Sequence, residues 1–324
     1  MITLGLIGLG KWGKNYLKAA ELIEGCQIKY IVAKSESTLA QFPDKYTKLT
    51  DYLSLAKYSD INGVIIATPG STHFQIVSDL SRSDLFLLVE KPLTVNLAES
   101  KKLNNIKNLS QKLMVGHIYL YNPAYLAAKK LTSQIGQIRY ISFTAYNQGP
   151  FRDDMSSLLD WGPHSICICL DLFQTMPKSV SAWAVNSLRP KSILYDNTFV
   201  KLEFEDNITC LLESGWLYPF RRRELIIYGT TSSIYFNDLD DKKISLYKNL
   251  GPDVKTSDII SQIPEIVYPP YPKTSPLENE LQQFVTFIKS KQPPKTNLQQ
   301  ALSVAKVIDA AEKSIKLQGQ TVKL

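Results

Sequence analysis

Histidine and cysteine are scarce in this 324-residue chain, which holds three of the first (His73, His117, His164) and four of the second (Cys26, Cys167, Cys169, Cys210). The scattered histidines have no metal-ligand spacing, so a zinc enzyme is not expected and no metal site is assigned. The cysteines fit neither a disulfide framework nor a zinc site. Cys167 and Cys169 fall in the apolar run SICICLDLF and read as small core residues. No apolar run approaches the ~18 residues of a membrane helix. The N-terminus opens directly into a strand pattern, without a signal-peptide layout. A reducing, cytoplasmic setting with no membrane partner is the expectation. A basic stripe interleaved with aromatics is also missing. The net charge is +7, but its 37 Lys and Arg residues are spread out apart from Arg221–Arg223 and several Lys pairs. No nucleic-acid partner is expected, and the charge either favours an anionic small molecule or is solvated.

What is present is ordinary for a globular protein, 44% apolar and 21% charged. The length allows two domains at roughly 150 residues each. Strand patterns at 2–7, 27–33, 62–69, 86–89 and 112–117 alternate with helical patterns at 11–23, 72–83 and 97–110. Alternation of this kind implies βαβ units and a parallel sheet. Residues 1–118 read as one doubly wound Rossmann domain of α/β class. Residues 119–324 read as an α+β domain for substrate binding and oligomerisation. It comprises helices near 123–133 and 161–173, a large, mostly antiparallel open sheet, an irregular proline-rich surface loop over 251–276, and closing helices at 277–291 and 297–318. Those last helices have the option of packing back on the first domain.

The first motif is GLIGLGKWGKN, with Gly8, Gly10 and Gly13 directly after a strand and before a helix. Gly8 makes the tight turn, Gly10 lets backbone approach a pyrophosphate, and Gly13 lets helix and strand pack closely. The loop of Gly8, Gly10, Lys11, Trp12 and Gly13 is the expected dinucleotide cradle. The second strand of such a domain usually ends on an acid that binds the adenine ribose. Here it runs YIVAKSES, placing Lys34 and Ser35 where that acid is expected. A cation and a hydroxyl suit a 2′-phosphate, so NADP(H) is preferred. Glu36 leaves NAD(H) open, because a register shift of two residues would make it the acid.

Two further stretches are FLLVEKPLTVN, a buried strand stopping on Glu90, Lys91 and Pro92, and LLDWGPHSI at 158–166. Asp160 and His164 are spaced i, i+4, which on a helix puts both on one face. Gly162 and Pro163 suit a first helical turn, where a missing N–H costs little. A carboxylate beside an imidazole can fix its tautomer and raise its basicity. With GxGxxG, EKP and DxGxH on one chain, the sequence resembles the glucose–fructose oxidoreductase / inositol dehydrogenase (Gfo/Idh/MocA) family over essentially its whole length. Also similar are ATPGSTH (67–73), VGHIYLYNPAY (115–125), ESGWLYPFRRRELIIYGT (213–230) and the closing LENELQQF segment.

The resemblance implies that Lys91 stands near the nicotinamide and the substrate oxygen, with an often cis peptide before Pro92. The position agrees with this, since ligands of such sheets bind at the carboxyl ends of the strands. An ammonium there stabilises a developing alkoxide. Glu90 would orient or balance it. His164 is then the general acid and base, with Asp160 as its partner. Thr68 and Pro69 are expected at the nicotinamide ribose and His73 on the cofactor loop. His117 is either a shell residue or a hydrogen-bonded structural one. Tyr119, Tyr121 and Asn122 are substrate-side candidates, although many relatives carry a basic residue before the Asn-Pro, and the tyrosines either meet a sugar ring or fill the junction. Arg221–Arg223 read first as a charged strand edge, with a substrate phosphate as the alternative.

The expected activity is therefore NAD(P)-dependent hydride transfer between a secondary alcohol and a ketone on a sugar, sugar phosphate or nucleotide sugar. A homodimer or homotetramer through the C-terminal sheet is expected. The rival readings are a reductase of an imine or tetrapyrrole, and a cofactor or sugar sensor that catalyses nothing.

Overall fold

The computed structural model describes residues 1–149, 151–190, 192, 194–248 and 265–324. The chain forms two compact units, one of Met1–Tyr121 with Thr274–Ala305, the other of Asn122–Lys273 with Lys306–Leu324.

The first unit holds β1 (Ile2–Ile7), α1 (Lys11–Glu21), β2 (Cys26–Val32), α2 (Glu36–Leu39), β3 (Thr47–Leu49), β4 (Gly63–Ile66), α3 (His73–Leu80), β5 (Phe86–Glu90), α4 (Leu97–Asn104) and β6 (Leu113–Gly116). All its strand pairs are parallel, in the order β3-β2-β1-β4-β5-β6. The strands are near-continuous apolar runs because both sheet faces are covered. On one face Leu4, Leu6, Ile31, Ile65 and Leu88 pack with Tyr16 of α1, and on the other Ile7, Val64, Ile66, Leu87 and Val89 pack with Val77 and Leu80 of α3. Burying each such side chain contributes roughly 1.5–3 kcal/mol. The order reverses between β1 and β4. In a doubly wound sheet that switch, at the carboxyl ends of the strands, is where ligands bind.

The second unit opens with α5 (Pro123–Leu131), β7 (Ile138–Gln148), α6 (Ser157–Phe173), β8 (Ser179–Val185), β9 (Asn197–Glu203) and β10 (Thr209–Gly215). It continues through β11 (Leu217–Gly229), β12 (Ser232–Asn237), β13 (Ile244–Lys248) and β14 (Ile266–Val267). Then come α7 (Pro276–Ser290), which belongs to the first unit, α8 (Leu298–Lys316), shared between the two at Ala305, and β15 (Val322–Lys323). The sheet of this unit has nine strands in the order β14-β13-β12-β11-β7-β10-β9-β8-β15. It is antiparallel except for β7 and β10, which run parallel. Leu281, Phe284 and Phe287 of α7 join the core of the first unit beside Leu4 and Tyr16. Of the loop expected over 251–276, the part 251–264 lies outside the described residues.

Helix α6 starts at Ser157, earlier than the spacing alone suggests. Ser156 is its N-cap, and the Ser156 hydroxyl accepts the Leu159 N–H at 3.4 Å. Pro163 therefore sits inside the helix and not in its first turn. The apolar face from Leu158 through Leu170 is buried, and that burial carries the helix through its proline. Among the described residues no helix is long and apolar enough to cross a membrane.

Candidate active site

The glycine loop is built as its spacing demands. Gly8 has φ +96°, and a β-carbon there would stand 2.6 Å from the Ala67 carbonyl oxygen. Gly13 packs its α-carbon on the Gly8 carbonyl, so no side chain fits there either. Gly10 caps α1 without any side-chain hydrogen bond, and the space over it is open. The first turn of α1 carries no acidic residue. An uncapped helix start with open space above a glycine is a seat for an anion, here a pyrophosphate. Beside it lies a cleft of about 560 Å³ lined by Gly8, Val32, Ala33, Lys34, Thr68 and Pro69, among others. Glu36 lines an adjoining hollow with Lys48 and Asp51. Ser35 caps α2 and lies 2.6 Å from the Ser37 hydroxyl. Lys11 and Trp12 stand exposed on the first turn of α1. The residues present thus fit a dinucleotide.

The loops after β4 and β5 are tied together by His73. Its Nδ1 lies 2.8 Å from the Pro92 carbonyl and its Nε2 2.9 Å from the Thr68 carbonyl. Burial pushes this imidazole below its ordinary range. Thr72 donates to the Pro69 carbonyl at 2.7 Å, and its hydroxyl also lies 2.7 Å from that of Thr68.

At the end of β5 the Lys91–Pro92 peptide is cis. The buried carboxylate of Glu90 accepts the Lys91 backbone N–H through Oε2 at 3.2 Å. Its Oε1 lies 2.9 Å from the hydroxyl of Tyr16, and that hydroxyl lies 2.9 Å from Oε1 of Glu280 on α7. Gly116 of β6 lies directly against this carboxyl. His117 follows β6 and is fully buried. Burial first, then the charge of Lys91, pushes it down to about 3.

Three substrate-side candidates are already engaged. Tyr119 and Tyr121 are both buried. The Tyr121 hydroxyl lies 2.8 Å from that of Thr296, and its ring lies under Lys295. Asn122 caps α5 through Oδ1, and its Nδ2 donates to Asp238 at 3.0 Å.

In the second unit Asp160 and His164 stand one turn apart on α6, His164 buried. The Asp160 carboxylate accepts the Trp216 indole N–H at 3.3 Å and lies 3.7 Å from the Arg152 guanidinium. The His164 ring is 5.7 Å from that of Trp161, over which Arg223 stacks at 3.8 Å. Arg223 donates to the Tyr146 carbonyl and to Asn147. The arginine triplet is thus no uniform charged edge. Arg221 is exposed, Arg222 half-buried and Arg223 buried, just past the place where the register of β11 against β7 shifts, between Leu217 and Arg222.

Sequence reasoning passed over Tyr16, Arg152, Trp216 and Glu280. The only signal for the indole was its place in the ESGW stretch. The tyrosine and glutamate lie 264 residues apart and carried none.

Residues 2–117 match the oxidoreductase family model with an NAD-binding Rossmann fold, and residues 125–235 match the GFO/IDH/MocA C-terminal domain. Among curated proteins the chain is similar to scyllo-inositol 2-dehydrogenase (NAD(+)) of Bacillus subtilis (strain 168), 27% identical, covering 77% of this chain and 78% of that protein. It is also similar to scyllo-inositol 2-dehydrogenase (NADP(+)) of the same organism, 24% identical, covering 78% and 73%. Among solved structures it shares the fold of UDP-N-acetylglucosamine 3-dehydrogenase from Acidithiobacillus ferrooxidans, with TM-score 0.83, 18% identity and 98% of each chain covered. The glycine cradle, the strand ending on Glu90 and Lys91, and both domain models agree: the chain belongs to the Gfo/Idh/MocA family of NAD-binding oxidoreductases.

Proposed function

We propose that this protein is an NADP(H)-preferring oxidoreductase that interconverts a secondary alcohol and a ketone on a sugar or cyclic polyol. The observation that carries the reading is the end of β5, where Lys91 follows a buried carboxylate at the carboxyl edge of the parallel sheet. A bound nicotinamide would supply the hydride acceptor or donor for the substrate carbon. Lys91 donates to the substrate oxygen and stabilises its alkoxide character. His164 accepts the hydroxyl proton in oxidation and gives it back in reduction. Asp160 orients the imidazole, and Trp216 and Arg152 hold that carboxylate in turn.

The Gly8–Gly13 loop holds the pyrophosphate, with Lys11 and Trp12 at its rim. Lys34 and Ser35 take the 2′-phosphate, and Thr68, Pro69 and His73 shape the ribose side. Lys34 lining the cleft, with Glu36 in the next hollow, supports the cofactor preference. The inositols named for the curated relatives are the first substrates to try. The four thiols are free, in keeping with a reducing cytoplasmic setting.

The sheet of the second unit pairs two copies. Its register sets Leu211, Ser142, Ile226 and Tyr235 in one cross-strand row and Trp183 beside Phe199 in another. Trp183, Val185, Leu211, Ile226 and Tyr228 are all exposed. Large apolar patches of this kind on one face mark association surfaces.

Tryptophan-to-nicotinamide energy transfer with NADPH and NADH tests the cofactor, and an inositol and sugar panel then tests the reaction. Tighter NADPH binding and polyol-dependent reduction of NADP(+) are expected. Tighter NADH binding moves the ribose role to Glu36, and turnover only of imines overturns the alcohol chemistry.

A further inference from the structure

The contact of Tyr16 with two carboxyl groups carries more than packing. The phenol has one proton, and Oε1 of Glu90 and Oε1 of Glu280 both lie 2.9 Å from its oxygen. It donates to one of them. The other carboxyl, if ionised, would turn lone pairs on the phenol oxygen among buried groups, so one of the two holds a proton and donates it to Tyr16.

The surroundings say which. Burial pushes Glu90 above the ordinary carboxylate range too, but the Lys91 charge beside it pulls the other way and its Oε2 accepts the Lys91 N–H at 3.2 Å, two supports that Glu280 lacks. Oε2 of Glu280 is buried with no hydrogen-bond partner among the described residues. A carboxylate survives burial only when paired or hydrogen-bonded. A neutral acid tolerates one idle carbonyl oxygen at far lower cost. Burial first, and then the negative charge of Glu90, drives Glu280 well above the ordinary carboxylate range. The titratable groups facing it are Tyr16 on α1 and Glu90 at the end of β5, with Lys91 and then His117 beyond.

We propose that Glu280 is a positioning residue: a carboxylic acid that stays protonated at neutral pH and, through Tyr16, holds Glu90 as the anion facing Lys91. The chain runs Glu280 to Tyr16 to Glu90, each group donating to the next. It fixes one negative charge at the end of β5 and keeps a second one out. It rests on the reading of Lys91 as the catalytic lysine only for its consequence, since the proton placement is a property of the protein alone.

The test is infrared spectroscopy of the cofactor-free protein in D2O at pH 8, together with the pH profile of kcat/KM. Wild type is expected to show the carbonyl stretch of a protonated carboxylic acid, Glu280→Gln to lose it and Glu90→Gln to keep it. Gln at 280 still donates to Tyr16, so kcat stays within about threefold of wild type and the pH profile is unmoved. Glu90→Gln removes a charge beside the Lys91 ammonium and displaces the profile. Absence of the band in wild type overturns the proposal, whether or not the variants fold. So does a band that survives in Glu280→Gln and vanishes in Glu90→Gln. Full activity in Lys91→Met would sink the catalytic role of Lys91 and leave the infrared result standing.

Discussion

The indole N–H of Trp216 donates to the Asp160 carboxylate at 3.3 Å, from the residue between β10 and β11 to the first turn of α6. A carboxylate held in this way is fixed in direction, and so is whatever it in turn orients. If Asp160 sets the tautomer of His164, loosening Asp160 lowers kcat more than it raises KM. His164→Asn is expected to cost about 10²–10⁴ in kcat. Trp216→Phe deletes one hydrogen bond to a charged group and is expected to cost about tenfold. Both variants keep NADPH affinity within about threefold. A Trp216→Phe enzyme altered in KM alone would mean that the indole shapes substrate binding and does not position the base.

Lys34 lines the cleft beside Gly8, and Glu36 does not. Lys34→Ala is expected to weaken NADPH about tenfold or more, the worth of one charge-assisted contact, and to leave NADH almost unchanged. Titration by energy transfer reads both. Equal losses for the two cofactors would show that Lys34 does not meet the 2′-phosphate.

Two buried groups near Lys91 pull stability in opposite directions as the pH falls. His117 titrates at about 3 when folded and near 6.5 when unfolded. Between those values the unfolded chain holds the extra proton, so His117 removes about 1.4 kcal/mol per pH unit on acidification. Glu280 is raised when folded, so the folded chain holds the extra proton above about pH 4.3 and stability grows as the pH falls toward it. Urea unfolding between pH 6.5 and 4.5 separates the two. His117→Leu should gain stability relative to wild type on acidification, and Glu280→Gln should lose it. Variants running parallel to wild type would contradict both assignments.

The exposed row on the second sheet predicts association. Ile226→Lys with Trp183→Glu is expected to shift the molar mass in light scattering to that of one chain and to leave NADPH binding in place. A wild-type protein already monomeric at micromolar concentration would remove this face from the account.

The first sheet was legible because its signals are local. Apolar runs, three glycines at fixed offsets and a lysine after a strand are written within a few residues of one another. β3 was missed because its three residues, Thr47–Leu49, form an edge strand too short for periodicity to report. The parallel pairing of β7 with β10 escaped notice because strand direction is set by the intervening α6, β8 and β9 and not by alternation. The early start of α6 was hidden by Pro163, which reads as a helix beginning until burial of the whole apolar face outweighs it. Tyr16, Glu90 and Glu280 come from three distant segments that no spacing rule connects.

The alcohol–ketone chemistry at Lys91 is tested by the rate of NADP(+) reduction by myo- and scyllo-inositol and a panel of sugars, in wild type and in Lys91→Met. Turnover of at least one polyol by wild type is expected, with a drop of about 10²–10³ in kcat for the variant and NADPH affinity held within about threefold. A variant that turns over at the wild-type rate, or a cofactor-saturated wild type that oxidises no alcohol and reduces no ketone in the panel, would contradict it.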